Sequence, residues 1–243
     1  MTPLEAKEKL KKDGYTWFEL SEFDPEFYNW LQSLKCSEET NLKDKIATLR
    51  MDMSKHPLIN NIQIKETFET HELALQTKNQ IINDYKNITT FSQIWYYNDL
   101  LDVLEKTKLN KNDYEKYIQN LVSYFFDFEK DKKYCELSWC TYYDNGCHLQ
   151  NHSDGTGTGR ICALLIYLNE DYDENDGGIL ILNNEEKVIP TFGRVAIIDL
   201  QTFDIPHMVT EVTGGIGRYA LLSFVKAKEN EFIHSSYDMK PVI

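Results

Sequence analysis

The sequence predicts a mainly β protein with flanking helices, an α+β chain with helices in its first half and short strands in its second. In the second half, apolar runs of strand length alternate with clusters of Gly, Asn and Asp, as at Arg160–Tyr167, Arg194–Leu200 and Tyr219–Val225. In the first half, apolar and aromatic residues recur at spacings of three and four, as on one face of a helix. With 243 residues and 42% hydrophobic content, the chain can bury one substantial core.

The first half contains six candidate elements in order. They are a helix over residues 3–13, a strand over Tyr15–Leu20, a helix over Pro25–Leu34, and longer helices over residues 66–86, 91–106 and 112–129. Asp24 and Pro25 mark a helix start, because aspartate caps free backbone N–H groups and proline fits the first helical position. We interpret the aromatic residues of the long helices as core residues, and the alternative is that they line a substrate pocket. They are Trp95, Tyr96, Tyr97, Tyr124, Phe125 and Phe126.

Composition excludes several function classes. The net charge of −13 and pI near 4.9 argue against binding to nucleic acid or to an anionic membrane surface. No apolar run is long enough to span a bilayer, and no basic-then-apolar leader opens the chain, so we expect a cytoplasmic protein. Five cysteines without a CxxC pair predict neither a disulfide scaffold nor a zinc ribbon. Cys140 and Cys162 are expected in the core, and Cys147 is expected to be exposed.

An acidic run, residues 170–176 (EDYDEND), follows the first of the strong strands. Its composition is typical of a solvated loop. The alternative is a rim that attracts a cationic substrate.

The main chemical signal is a set of three candidate metal ligands. His152 and Asp154 are two residues apart, so in an extended segment both side chains point to the same side. His207 follows the predicted strand Arg194–Leu200 after a short turn. Two imidazoles and one carboxylate on one face of Fe(II) leave open positions for a co-substrate and dioxygen. The pattern therefore predicts an iron-binding oxygenase site.

Two further residues near these ligands have competing interpretations. His148 shares strand parity with His152 and Asp154, yet we favour three ligands, with His148 at the rim or supporting the ligands from outside. Arg218 opens the strand Tyr219–Val225. Its position alone fits an ion pair to a surface acid such as Glu211, and the order of the motifs favours a functional role instead.

The motif order resembles that of the 2-oxoglutarate- and Fe(II)-dependent oxygenases, most closely the prolyl 4-hydroxylase-like branch. The matching residues, in order, are Tyr143, HSD at 152–154, RICALLIYLN at 160–169, Gly177–Gly178, His207 and Arg218. They span roughly residues 136–228, and each motif alone is weak. His207 and Arg218 lie eleven positions apart, a slightly longer gap than the family's, and the glycines between them indicate a tight turn.

The resemblance implies a fold and a division of the chain. The fold is a double-stranded β-helix, a cupin-like jelly-roll with N-terminal helices packed on one sheet. Residues 1–135 would form a helical and strand support region of the same domain, residues 136–228 the catalytic core, and residues 229–243 a C-terminal tail.

The resemblance also implies ligands and roles. Fe(II) would be held by His152, Asp154 and His207, with 2-oxoglutarate and O2 as co-substrates and ascorbate as a supporting reductant. Arg218 would bind the distal carboxylate of 2-oxoglutarate, with Tyr167 and Tyr143 as further contacts. Arg160 and Phe224 would contact the substrate. Leu149 and Phe224 replace aromatic residues of related enzymes, which leaves the cofactor site intact and changes the substrate region.

The implied activity is hydroxylation of an unactivated C–H bond. Halogenating relatives have a small residue at the position of Asp154, so its carboxylate favours hydroxylation. A prolyl or other amino-acid side chain, free or in a peptide, is the favoured substrate. The alternatives are desaturation, epoxidation or cyclisation of a small molecule at the same site, and a metal-binding module without catalysis. The expected partner is an amino acid, peptide or small molecule, with no nucleic acid and no membrane, and the oligomeric state stays open.

Overall fold

The structure is a computed structural model, and it describes residues 1–35, 49–56, 91–127, 134–154, 160–215 and 217–227. Its α-helices are α1 (Pro3–Asp13), α2 (Leu20–Phe23), α3 (Pro25–Leu31), α4 (Leu100–Thr107) and α5 (Lys111–Phe126). Short 3-10 turns cover Gln32–Leu34 and Glu174–Asp176. The strands are β1 (Tyr15–Glu19), β2 (Leu49–His56), β3 (Phe91–Asp99), β4 (Tyr134–Tyr143), β5 (His148–His152), β6 (Arg160–Tyr167), β7 (Leu180–Leu182), β8 (Glu186–Val188), β9 (Arg194–Asp199), β10 (His207–Val209) and β11 (Arg218–Ala227).

The strands form two antiparallel layers joined by β3. One layer has the order β1-β9-β6-β11-β4, and the other has the order β5-β10-β7-β8. Strand β3 pairs with β4 through residues 96–99 and with β5 through residues 93–94, so it passes from one layer to the other. This confirms the predicted α+β jelly-roll.

Alternation along β6 separates two cores. Residues 162, 164 and 166 face a core shared with the helices, and residues 163, 165 and 167 face the space between the layers. Both faces of β6 are therefore buried, which explains why it reads as a continuous apolar run. Helices α1, α3, α4 and α5 pack on the outer face, and the inner face lines the site.

The first elements follow the prediction closely. Thr2 and Glu5 form a capping box at the start of α1, and Gly14 ends the helix in the left-handed conformation. The carboxylate of Asp24 accepts from the Phe27 N–H at 2.9 Å and caps α3, whose first residue is Pro25. The predicted helix over Pro25–Leu34 ends as a 3-10 turn.

The predicted helix over residues 91–106 is wrong in its first half. Residues 91–99 form β3, and only Leu100–Thr107 is helical, with the Asp99 side chain accepting from Leu101 N–H at 2.8 Å as its cap. Aromatic residues at helical spacing also suit a strand, and pairing with β2, β4 and β5 settles the conformation. The predicted helix over residues 112–129 is α5, and the one over residues 66–86 lies outside the described residues.

Burial tests the predictions for the aromatic residues and cysteines. Phe125 is buried in the helix-side core, where Tyr124 and Phe126 pack against it, whereas Tyr97 lies between the layers. Cys140 and Cys162 are core residues, as predicted. The prediction that Cys147 is exposed is wrong: it is 3% exposed, because a turn after β4 folds it into the space between the layers. No helix within the described residues is long and apolar enough to cross a membrane.

Candidate metal centre

The structure brings the three candidate ligands together at one end of the space between the layers. His207 in β10 lies directly opposite His152 at the end of β5, and their ring centroids are 4.3 Å apart. Asp154 follows two residues after β5, and its two carboxylate oxygens lie 3.8 Å from His152 Nε2 and 3.7 Å from His207 Nε2. The potential ligand atoms all lie within 4.8 Å of one another.

Backbone carbonyl groups orient both imidazole rings. Nδ1 of His152 lies 3.0 Å from the Gln150 carbonyl oxygen, and Nδ1 of His207 lies 3.1 Å from that of Ile205. Because a carbonyl oxygen only accepts, these contacts assign the proton to Nδ1 and turn the Nε2 lone pair toward Asp154. Burial, and then the neighbouring His207, hold the pKa of His152 below its ordinary value, which favours the neutral, ligating form.

This donor set fits Fe(II). Two neutral imidazoles and one carboxylate form the facial set that non-haem iron oxygenases use. The three side chains are 24%, 14% and 8% exposed for His152, Asp154 and His207, so they are shielded from bulk water yet line an open cavity.

An irregularity in β5 keeps His148 away from the ligands. Val209 pairs with Leu149 while His207 pairs with His152, so the register shifts between the two pairs and simple alternation breaks. Leu149 therefore lines the cavity together with His152. His148 instead has its Nδ1 3.2 Å from the Gly146 carbonyl oxygen, and it does not join the ligand cluster.

Arg218 is a fully buried cation at the same cavity. It is 1% exposed, and its guanidinium lies 4.8 Å and 5.0 Å from the ring centroids of Tyr143 and Tyr167. Its Nη2 donates to the Tyr167 hydroxyl at 3.4 Å, and no acceptor for its Nε exists among the described residues. A buried charge with unused donors requires an anion to offset its desolvation. The described residues provide no ion pair to Glu211, the structural alternative.

Tyr143 and Tyr167 are neutral hydrogen-bond donors at this position. Tyr143 lies opposite Arg218 on the adjacent strand β4, and Tyr167 ends β6. Burial raises the pKa of both hydroxyls, and the nearby Arg218 opposes that shift without cancelling it. Protonated hydroxyls and a guanidinium together suit a carboxylate ligand.

The cavity joins this polar end to the metal ligands and to an apolar end. Its volume is about 120 Å³. Thr141, Tyr143 and Arg218 line the polar part, and Trp139, Leu222 and Phe224 line the apolar part. The Arg160 guanidinium lies 4.0 Å from the ring centroid of Phe224, at the apolar end. Six of the predicted site residues line this cavity, namely Tyr143, His152, Asp154, His207, Arg218 and Phe224. Tyr167 contacts Arg218, and Arg160 contacts Phe224.

Sequence reasoning missed the contributions of Trp139 and Thr141. Both alternate with Tyr143 on β4, so extending the period of two backward from Tyr143 would have found them. It also assigned no role to Asn169, which is fully buried beside Arg218.

A facial metal site inside a jelly-roll defines the class of the chain as a non-haem iron oxygenase. Residues 138–226 match the family model of the 2OG-Fe(II) oxygenase superfamily. The match covers the stretch that carries the motifs, so the resemblance to this superfamily is confirmed.

The chain shares its fold with a solved prolyl-4-hydroxylase structure. It is similar to a Pseudomonas putida prolyl-4-hydroxylase, with a TM-score of 0.52, 14% identity, and coverage of 93% of this chain and 98% of that one. The chain is also similar to a prolyl 4-hydroxylase from Phytophthora capsici, with a TM-score of 0.49, 17% identity, and coverage of 93% of this chain and 63% of that one. A third similar structure is a prolyl hydroxylase from Trichoplax adhaerens in complex with a hypoxia inducible factor peptide, with a TM-score of 0.49, 15% identity, and coverage of 92% of this chain and 88% of that one. No curated protein matches the chain.

Proposed function

We propose that this chain hydroxylates an unactivated C–H bond of a prolyl or other amino-acid side chain, using Fe(II), 2-oxoglutarate and O2. The main supporting observation is the buried Arg218, whose Nε has no acceptor among the described residues. It lies next to two neutral tyrosines in the cavity that His152 and His207 also line. A dicarboxylate co-substrate would satisfy that cation with one carboxylate and leave its other end for the metal that His152, Asp154 and His207 would hold.

Each residue has a defined task in this proposal. His152, Asp154 and His207 hold Fe(II), which when bound supplies the oxidation chemistry together with 2-oxoglutarate and O2. Arg218 binds the distal carboxylate through charge-assisted hydrogen bonds, and the Tyr167 and Tyr143 hydroxyls donate alongside it. The surrounding apolar walls exclude water, which strengthens these electrostatic contacts. Ascorbate stays a predicted supporting reductant.

The apolar end of the cavity suits the substrate. Trp139, Leu222 and Phe224 offer an aromatic and aliphatic wall to an apolar side chain. The fold likeness to a prolyl-4-hydroxylase supports a prolyl group as the first candidate.

A bulge at the start of β6 aims Arg160 at this end. Phe224 pairs with Ala163 and Val225 with Cys162, but Lys226 pairs with Arg160, so Ile161 is the extra residue. Ile161 joins the helix-side core, and Arg160 turns to the Phe224 side. If the side chains alternated strictly from Ala163, Ile161 would face the space between the layers and Arg160 would face the helix-side core.

The test is a screen of free amino acids and short peptides for succinate release with mass analysis of the product. Hydroxylation adds one oxygen, about 16 Da, to the substrate. Desaturation or ring closure instead removes two hydrogens, and epoxidation of an alkene gives the oxygen-added mass without loss of a C–H bond. Oxygen addition at a deuterium-labelled carbon with loss of one deuterium supports the proposal. Formation of succinate without any modified compound argues for a different substrate class.

We expect Arg160→Gln to lower kcat/KM for the substrate by about 10- to 100-fold, because one charge-assisted hydrogen bond contributes about 1.5–3 kcal/mol. The affinity for 2-oxoglutarate should stay unchanged. Arg194→Gln is the matched control, since Arg194 also stacks on an aromatic ring, Trp17, at 4.8 Å, but bonds to Glu19 instead of facing the cavity. Equal substrate kinetics in Arg160→Gln and the parent would exclude Arg160 as a substrate contact.

A further inference from the structure

Both polar atoms of the Asn169 side chain form hydrogen bonds with the backbone on either side of Arg218. Its Nδ2 donates to the Gly217 carbonyl oxygen at 2.7 Å, and its Oδ1 accepts from the Tyr219 N–H at 2.7 Å. The side chain is fully buried. Both hydrogen bonds are short and shielded from water, so losing either leaves a buried polar group without a partner.

These bonds continue the sheet where its regular pairing stops. The last backbone bond between these two segments runs from Leu168 N–H to the Tyr219 carbonyl oxygen at 3.1 Å. Beyond it, the chain leaves β6 for the acidic loop of residues 170–176. The Asn169 amide supplies one donor and one acceptor, as a peptide group of a neighbouring strand would.

Asn169 is itself held firmly. Its carbonyl oxygen accepts from the Phe192 N–H at 2.5 Å, and the Tyr167 carbonyl oxygen accepts from the Gly193 N–H at 3.0 Å. The turn before β9 therefore holds the backbone of Asn169 in place.

The segment before Arg218 needs this support because its conformation is unusual. Gly217 has φ +78°, and a Cβ there would lie 2.6 Å from the Tyr142 ring and 2.7 Å from the Tyr143 carbonyl oxygen. Strand β4 holds Arg218 on one side through its pairing with Tyr143. On the other side, the Asn169 side chain takes the place of a strand.

We propose that Asn169 is a positioning residue for co-substrate binding, which holds the backbone of Arg218 so that the guanidinium meets the carboxylate of 2-oxoglutarate. This inference rests on the proposed function, because it takes Arg218 as the residue that binds the co-substrate. It predicts that Asn169 sets the affinity for 2-oxoglutarate without contacting it.

The experiment measures 2-oxoglutarate binding in Asn169→Asp and Asn169→Ala by anaerobic titration of the Fe(II)-loaded protein. Asn169→Asp keeps the shape and the acceptor for Tyr219, but it replaces the donor to Gly217 with a carboxylate oxygen that repels the Gly217 carbonyl oxygen. We expect the dissociation constant of 2-oxoglutarate to rise about tenfold or more in both variants, while Fe(II) affinity stays within about twofold of the parent. The rise of the unfolding midpoint on adding 2-oxoglutarate should shrink in parallel.

Ser223→Ala is the matched control for a merely structural effect. Ser223 is buried on the same strand, and its hydroxyl bonds to Tyr114 and Ser138 at 2.7 Å each, on the face away from the cavity. This variant should lose stability and keep the parent's 2-oxoglutarate affinity. If Asn169→Asp binds 2-oxoglutarate as the parent does, the inference is overturned and the proposed function stands. If the parent itself binds none, both are overturned.

Discussion

Asp154→Ala should weaken Fe(II) binding by more than about 100-fold and lower turnover accordingly. The carboxylate supplies the only negative charge among the three ligands, and its two oxygens lie between the two imidazoles. Loss of a residue that merely orients a ligand typically costs 10- to 100-fold in metal affinity, so loss of a ligand should exceed about 100-fold. Anaerobic Fe(II) titration by equilibrium dialysis measures this.

Asp204→Ala is the control for the loss of one negative charge near the site. Asp204 is exposed and lies three residues before His207. We expect its substitution to leave Fe(II) affinity unchanged. Retention of parental Fe(II) affinity in Asp154→Ala would exclude Asp154 as a ligand.

Arg218→Met should weaken the binding of 2-oxoglutarate without lowering the stability of the ligand-free protein. The loss of two charge-assisted hydrogen bonds, each contributing about 1.5–3 kcal/mol, should weaken 2-oxoglutarate binding by about 100-fold or more. Without co-substrate, however, the variant should be at least as stable as the parent, because methionine is similar in length and removes a buried cation that has no counter-charge in the described part of the chain.

Unfolding midpoints with and without 2-oxoglutarate distinguish these effects. The parent midpoint should rise with 2-oxoglutarate, and the Arg218→Met midpoint should not change. A large loss of stability in the ligand-free variant would instead assign Arg218 a structural role.

The sequence was sufficient to predict that the three candidate ligands lie together, because its motifs lie on or next to strands with strong apolar patterns. The spacing of two residues was enough to predict that His152 and Asp154 point to the same side. The predicted strand before His207 was enough to predict that His207 joins them. The strands β6, β9 and β11 were predicted within two residues of their observed ends. Their apolar runs match burial on both faces, which few other arrangements permit.

Strand pairing in the folded protein determines the features that the sequence alone did not predict. The aromatic residues of β3 fit a helix or a strand equally well, and only the neighbouring strands select between them. The bulges beside His152 and Arg160 reverse the alternation on which parity arguments depend, so neither the exclusion of His148 from the ligands nor the inward turn of Arg160 follows from spacing. Asn169 lies two residues after β6, and its hydrogen bond to Gly217 reaches a segment 48 residues away, which the sequence does not indicate.

The most direct test of the account is anaerobic addition of Fe(II) and 2-oxoglutarate to the parent, Asp154→Ala and Arg218→Met. Chelation of Fe(II) by 2-oxoglutarate gives a weak visible metal-to-ligand charge-transfer band. We predict the band in the parent, its loss or weakening in Asp154→Ala at the same Fe(II) concentration, and in Arg218→Met a band only at far higher 2-oxoglutarate concentration. A folded parent without the band, or a band of equal strength in Asp154→Ala, would contradict this prediction.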